Sequence, residues 1–204
     1  MYVKILTLLA IVGMLNTAQA VEPKTEDFER ADLGKQWNIN FGSWKIQDGV
    51  LECQEQKVDE HAAAARWKVP FTDAEITLRV KLNEAKAFHI GTDPAPKQLD
   101  KKGHLYSLIL TGKTAVLKSH KNKADANSKD SVVARAQHNF SAEEWITIKL
   151  KSVGNTVQAE LKEGNQQIQL QGTHVEFSVK KPAIVFRTAK GPAYVDDIVI
   201  EVLK

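Results

Sequence analysis

Cysteine is nearly absent from this chain, because Cys53 is the one thiol among 204 residues. A single cysteine cannot close an internal disulfide, so the folded protein must be stabilised by its core. Cys53 follows Leu51 and Glu52 in an alternating segment, which indicates a small apolar residue on a strand. No neighbouring base or helix N-terminus is predicted that would lower its thiol pKa, so a catalytic cysteine is not favoured.

A second long apolar run is also missing. The first run, residues 5–15, follows Lys4 and precedes Ala18-Gln19-Ala20, a small-residue cleavage pattern. We therefore predict a signal peptide over residues 1–20 and a single exported domain over residues 21–204, periplasmic or extracellular. No later run reaches the roughly 20 apolar residues of a membrane helix, so we expect no membrane insertion.

Charge of one sign is not in excess. Lys4 is the one charged residue of the predicted leader, so the remaining domain has one basic residue fewer than the 28 of the whole chain, against 25 acidic residues. The lysine-rich segment 118–123 has no interleaved aromatic residues and is typical of a solvated loop. Nucleic acid is therefore not an expected partner. The six histidines, His61, His89, His104, His120, His138 and His174, show no zinc-site spacing.

Helical periodicity is scarce, whereas alternation of apolar and polar residues is common. In residues 75–82 the apolar side chains fall on one face, which predicts a strand with one buried and one solvated face. Residues 146–151, 157–162 and 167–171 repeat this pattern between turn residues and predict a three-stranded antiparallel meander. The last strand, from Tyr194, is predicted to lie close to the first. The sequence thus predicts an all-β, two-sheet antiparallel β-sandwich.

Several scaffold motifs occur in a recognisable order. They are Asp32-x-x-x-x-Trp37, Trp44-Lys-Ile-Gln-Asp48-Gly-Val-Leu51, Phe71-Thr-Asp73-Ala-Glu-Ile, Trp145-Ile-Thr-Ile-Lys, and Phe186-Arg-Thr-x-x-Gly191 before Val195-Asp-Asp-Ile. Over residues 24–204 the chain resembles the concanavalin A-like lectin/glucanase superfamily, and within it the 3-keto-disaccharide hydrolase family. The resemblance implies a jelly roll whose usual partners are saccharides. In place of that family's Asn-Ser-Gly and Tyr-Glu-x-Gln strands, this chain has residues 88–91 and 105–108.

Candidate site residues follow from three kinds of chemistry. A glycosidase needs two carboxylates beside the bond, but the nearest pair, Asp73 and Glu75, opens an ordinary strand and is more typical of surface. A lyase needs His, Tyr and Arg around a uronate, and alternation predicts that His104 shares a face with Tyr106. Saccharide binding needs an aromatic platform with fixed polar groups. The predicted substrate-binding residues are Arg66, Trp67, His89, Tyr106 and Arg187, whereas Trp37, Trp44 and Trp145 are assigned to the core.

Asp196 and Asp197 raise the question of a metal. The resemblance implies that some jelly-roll binding modules hold Ca²⁺ near the chain termini, where hard oxygen ligands meet. Neighbouring strand residues point to opposite faces, and Asp196 shares the parity of Ile198. Asp197, with Glu29 as co-ligand, is the candidate for a structural Ca²⁺ site, but a plain turn or strand-edge role is the favoured interpretation and no cofactor is required.

Three hypotheses about function remain open at this point. The first is an exported carbohydrate-binding, lectin-like domain that contacts glycans on its concave sheet. The second is a glycoside hydrolase related to the 3-keto-disaccharide hydrolases, and the third is a non-catalytic interaction module of the cell surface. The sequence leaves open whether the protein is an enzyme.

Overall fold

The computed structural model describes residues 22–203, so the predicted signal peptide, residues 1–20, lies outside the described part. The strands are β1 (Lys24–Glu26), β2 (Trp37–Phe41), β3 (Ser43–Gln47), β4 (Val50–Gln54), β5 (Ala63–Trp67), β6 (Asp73–Lys81), β7 (Ala85–Thr92), β8 (Tyr106–Leu110), β9 (Thr114–Ser119), β10 (Ser131–Gln137), β11 (Ile146–Val153), β12 (Thr156–Glu163), β13 (Gln166–Thr173), β14 (Ile184–Lys190) and β15 (Ala193–Leu203). Two short 3-10 helices lie at Lys57–Asp59 and Val175–Ser178. No helix within residues 22–203 is long and apolar enough to cross a membrane.

The strands form two antiparallel sheets with one core between them. The eight-stranded sheet has the order β13-β12-β11-β6-β15-β4-β3, with β1 paired to β15, and the seven-stranded sheet has the order β10-β9-β8-β7-β14-β5-β2. The two-sheet all-β prediction is confirmed. The terminal strands also pair as predicted, with Lys24 opposite Ile200.

The predicted meander is present as β11, β12 and β13, which pair in sequence order. On the neighbouring strand β6, Ile76, Leu78 and Val80 are buried against the opposite sheet, as their alternation predicts. Cys53 is fully buried on β4, where its Sγ lies 3.3 Å from the carbonyl oxygen of Ala193. Burial raises the pKa of this thiol, which fits a structural cysteine.

The two predicted aromatic binding residues, Trp67 and Tyr106, are core residues. Each is 1% exposed, because each has the inward parity of its strand, which it shares with Ala65 on β5 and Leu108 on β8. The Trp67 ring stacks on that of Trp37 with centroids 6.1 Å apart. Neither ring is available as a platform on the outer face, so the prediction that they bind substrate is corrected.

Alternation fails at two other places. A bulge in β15 between Asp196 and Val199 turns both Asp196 and Asp197 outward, while Val195 and Ile198 both stay in the core. The two carboxylates contact Arg79 at 2.6 and 2.7 Å.

Trp145, predicted as a core residue, is half-buried on the outer face instead. Its ring centroid lies 5.0 Å from the Arg79 guanidinium carbon.

A bulge in β2 changes the face of an aromatic residue. Ile39 lies opposite Ala65, whose side chain points inward, whereas Phe41 lies opposite Ala64 on the outer side. Phe41 is consequently 39% exposed. An extra residue in one strand reverses the parity of all positions beyond it, so simple alternation does not find this ring.

Candidate functional site

The outer face of the seven-stranded sheet carries two adjoining depressions, of about 430 and 340 Å³. Loops 92–104 and 120–130 form one side of both. Four residues line both depressions and so mark their junction: His61, His104, Lys123 and Arg187. We call the two depressions together the basic groove.

The floor of the basic groove is one row of side chains across five strands. Phe41 on β2 lies opposite Ala64 on β5, and Ala64 lies opposite Arg187 on β14. The row continues with His89 on β7 and Ile109 on β8. Because paired residues on one face of a sheet are neighbours, this register alone places an aromatic ring, a guanidinium and an imidazole in one row, with Ala64 between the ring and the guanidinium.

Arg66 lies at one side of this row and is held by two partners. Its Nε donates to Asp93 Oδ2 at 2.8 Å, and a second guanidinium nitrogen donates to Asn40. The other oxygen of Asp93 lies 2.6 Å from His104 Nδ1. Burial alone would raise the pKa of Asp93, but its contacts with His104 and Arg66 outweigh burial and keep the pKa below its usual value. Asp93 is therefore ionised and neutralises Arg66.

Two more histidines complete the wall. The rings of His104 and His120 meet edge to face with centroids 5.4 Å apart, and His120 Nε2 lies 2.9 Å from Ser107 Oγ. Burial lowers the pKa of His120 to about 4, helped by the neighbouring His104. Burial and the charge of Arg187 lower the pKa of His89 to about 3. Both His89 and His120 are consequently neutral hydrogen-bonding groups at neutral pH.

Arg187 differs from Arg66 in having no partner. Within residues 22–203 its guanidinium makes no hydrogen bond or ion pair, and its buried Nε is unsatisfied. Burial and the nearby Arg66 lower the pKa of Arg187, although Asp93 acts in the opposite direction. A half-buried cation without a counterion is a costly arrangement in a folded protein. Arg187 is therefore the group of the groove that is best placed to bind an external ligand.

The carboxylates of the groove do not form an acid–base pair. Among the described lining residues the acids are Asp93 and Asp130. Burial of Asp130 is outweighed by hydrogen bonds from the Lys121 amide at 2.9 Å and Lys118 Nζ at 3.1 Å, which lower its pKa. Glycosidases of the two-carboxylate type keep one carboxyl protonated, and both of these are held ionised.

An aromatic surface lies at the open end of the row. The rings of Phe41 and His61 stack with centroids 4.2 Å apart, and both residues line the larger depression. Their exposed carbon faces can pack against a flat apolar ligand surface, such as one face of a sugar ring. The exposed aromatic surface of the groove thus lies at Phe41 and His61 rather than at Trp67 and Tyr106.

A third depression lies on the outer face of the eight-stranded sheet. It is lined mainly by side chains that pair with one another: Lys149 contacts Glu75 at 3.0 Å, and Gln158 donates to Gln171 at 2.8 Å. These polar groups satisfy each other, so this depression offers less to a ligand than the basic groove does.

The structure brings three of the five predicted binding residues, Arg66, His89 and Arg187, together in the basic groove. His104 faces the groove while Tyr106 faces the core, because His104 precedes β8 and does not follow its alternation. Sequence reasoning missed Phe41, Asp93 and His120 as site residues. Asp93 and His120 lie in loops beside the sheet, where side-chain contacts leave no periodic signal in the sequence.

The predicted calcium ligands do not fit a metal site. Asp197 is paired with Arg79, and Glu29 lies beside Gly49. Within residues 22–203 no group of three or more His, Cys, Asp or Glu side chains is arranged to hold a metal ion. A cation bound by Asp197 would have to displace the Arg79 guanidinium, so no site is assigned there.

No family model and no curated protein matches the chain. Solved structures share its fold. A family 66 carbohydrate-binding module from Bacillus subtilis has a TM-score of 0.63 at 10% identity, over 81% of this chain and 95% of that one. A non-specific endo-β-1,3(4)-glucanase of glycoside hydrolase family 16 has a TM-score of 0.62 at 8% identity, over 91% and 95%. The exoplasmic/lumenal domain of VIP36, in a Ca²⁺/Man2-bound form, has a TM-score of 0.62 at 11% identity, over 89% and 87%.

Likeness at such low identity shows the fold alone. It confirms the predicted two-sheet jelly-roll sandwich, because each of these structures aligns with at least 81% of this chain. Function has to be argued from the groove itself.

Proposed function

We propose that this protein is an exported domain that binds saccharides in the basic groove and does not transform them. The observation that carries the proposal is the row Phe41, Ala64, Arg187, His89, which places a stacking surface and two polar side chains on one open sheet face. A sugar offers apolar C–H faces and a rim of hydroxyls, and this arrangement is complementary to both.

Small residues make room for such a ligand. Ala64 lies between Phe41 and Arg187, so a sugar ring over Ala64 would contact the aromatic ring on one side and the guanidinium on the other. Arg66 is held by Asp93 and Asn40, and His120 by Ser107, before any ligand binds. Preorganised partners lower the entropy cost of binding.

Binding without chemistry is favoured by the state of the acids. Asp93 and Asp130 have lowered pKa values, so neither is a proton donor near neutral pH. The lyase arrangement loses its tyrosine, since Tyr106 is in the core. No specific feature of the groove favours the 3-keto-disaccharide hydrolase hypothesis. Similar folds include a carbohydrate-binding module and the exoplasmic/lumenal domain of VIP36 in a Ca²⁺/Man2-bound form, which adds support at the level of the fold.

The test is a glycan array followed by calorimetry on the domain from residue 21 onward, with product analysis of each mixture. We expect at least one glycan to bind and none to be converted. Phe41→Ala should weaken that binding about tenfold, because it removes the stacking surface. Val153→Ala, which trims an apolar residue 45% exposed on the eight-stranded sheet, is the matched control and should bind normally.

Two results would contradict this proposal. Conversion of a bound glycan would show an enzyme. Failure of every glycan to bind would favour the interaction-module hypothesis instead.

A further inference from the structure

The junction of the two depressions carries two cations, Lys123 and Arg187, that make no ion pair within residues 22–203. All four residues that line both depressions, His61, His104, Lys123 and Arg187, carry basic side chains. Each nearby acid is already engaged: Asp93 with Arg66 and His104, and Asp130 with Lys118 and the Lys121 amide. The domain as a whole is almost balanced in charge, so this local excess is a property of the groove.

Arg66 and Arg187 differ in whether a carboxylate neutralises them, and this difference indicates where a negatively charged ligand group would bind. Arg66 has a carboxylate at 2.8 Å, whereas Arg187 is half-buried and makes no ion pair within the described residues. A third buried cation, Lys101, is neutralised by Glu176 at 2.5 Å.

The fully buried Lys181 makes no ion pair, but its Nζ donates to the carbonyl oxygens of Thr72 at 2.6 Å and Val179 at 2.9 Å. Among these cations, Arg187 is the one whose charged group has neither a carboxylate nor a hydrogen-bond partner within residues 22–203.

We propose that the basic groove selects anionic saccharides, and that Arg187 binds their carboxylate or sulfate group at the junction. This inference rests on the proposed saccharide binding and specifies its ligand class. A planar guanidinium suits a carboxylate or sulfate oxygen pair, since two parallel N–H···O bonds can form. Lys123, across the junction, adds a flexible second donor.

The position of the row agrees with this ligand. Along the row, Arg187 lies on the strand that follows Ala64, and Phe41 lies on the strand before it. A ring stacked on Phe41 would therefore direct a substituent toward the guanidinium. His89 lies opposite Arg187 on the neighbouring strand β7 and is neutral. Its ring N–H can therefore donate a hydrogen bond to the same anion that Arg187 binds. An anionic substituent would therefore satisfy the two buried nitrogens that lack partners, Arg187 Nε and His89 Nδ1.

The experiment compares ligands that differ in charge alone. Oligogalacturonates of one length are paired with their neutral methyl esters, and sulfated galactan oligosaccharides with their desulfated forms. Calorimetry at constant ionic strength measures wild type, Arg187→Gln, and Lys151→Gln, which removes an exposed positive charge from the eight-stranded sheet. A thermal melt confirms that each variant is folded.

We expect wild type to bind the charged member of at least one pair about tenfold or more tightly than the neutral member. Arg187→Gln should abolish this preference and keep the weaker binding of the neutral member, while Lys151→Gln should behave as wild type. The carboxylate and sulfate arms show which anion is preferred.

Three results would overturn the inference. One is equal binding of charged and neutral members, which would leave the proposed saccharide binding intact. Another is an undiminished preference in Arg187→Gln, which would mean that charge acts non-specifically. The third is equally tight binding of single-stranded DNA of matched charge, which would point to a general polyanion surface. Failure of all saccharides, neutral ones included, would instead reject the proposed function.

Discussion

Arg66 and Asp93 form an ion pair of 2.8 Å that joins strand β5 to the loop after β7. The same carboxylate holds His104 at 2.6 Å, so one acid connects a strand, a loop and the entrance to β8. The pair also neutralises Arg66 and so leaves Arg187 as the uncompensated guanidinium of the groove. Asp93 therefore both joins the elements that form the groove and determines which of its cations is left without a counterion.

Asp93→Asn tests that connection. The amide keeps the size of the side chain but loses the charge, and it cannot accept at both oxygens. We expect a loss of about 1 to 3 kcal/mol in the free energy of unfolding, because a partly buried charged hydrogen-bond network is broken. Urea denaturation measures this. Asp100→Asn, an exposed residue of the same loop, is the control, and an equal change in both variants would contradict the role of Asp93.

The fold followed from alternation because alternation reflects burial directly. Ile76, Leu78 and Val80 face the core because a half-buried strand has no other stable arrangement of those side chains. His89 and Arg187 also obey this rule in the structure, since each lies on the outer face between inward-facing neighbours of its strand. Alternation could not say that they are neighbours, because β7 and β14 are almost a hundred residues apart in sequence and pair only in the folded sheet.

The site was missed where alternation carries no information. Two bulges place Phe41 and Asp196 on the faces opposite to those that strict alternation gives, since a single extra residue shifts parity without changing composition. Asp93, His104 and His120 lie outside the regular strands, and their roles depend on contacts between loops. Trp67 and Tyr106 had inward parity from the start, and large aromatic residues at such positions are normally core.

Trp67→Ala and Phe41→Ala should separate core from site. Removing the fully buried Trp67 is expected to cost about 3 to 5 kcal/mol of unfolding free energy, through lost burial and a cavity. Removing Phe41, which is 39% exposed, should cost less than about 1 kcal/mol. Thermal and urea unfolding give both values, and a small loss for Trp67→Ala would contradict its place in the core.

The close pairing of β7 and β8 near His120 is expected to require a glycine at position 91. A Cβ at this position would lie 2.1 Å from the Tyr106 carbonyl oxygen and 2.6 Å from Ser107 Oγ, the partner of His120. Gly91→Ala must therefore move β7 away from β8, at a cost of about 1 to 3 kcal/mol. Gly112→Ala is the matched control, because nothing lies within 4 Å of its added carbon. Similar urea midpoints for the two variants would show that β7 has room to adjust.

Stability should fall as the solution is acidified from pH 6.5 toward pH 4. The pKa of His120 is lowered from 6.5 to about 4 by burial, and that of His89 to about 3. In this window the unfolded chain takes up protons that the folded protein refuses, so unfolding becomes more favourable as the pH drops. Each histidine contributes at most about 1.4 kcal/mol per pH unit.

His120→Gln should make that pH dependence shallower without abolishing it, since His89 still contributes. Urea unfolding at half-unit steps of pH measures the slope in wild type and in the variant. An unchanged slope in His120→Gln would mean that this imidazole is protonated as readily in the folded protein as in the unfolded chain. The description of His120 as a neutral ring that is hydrogen-bonded to Ser107 would then be wrong.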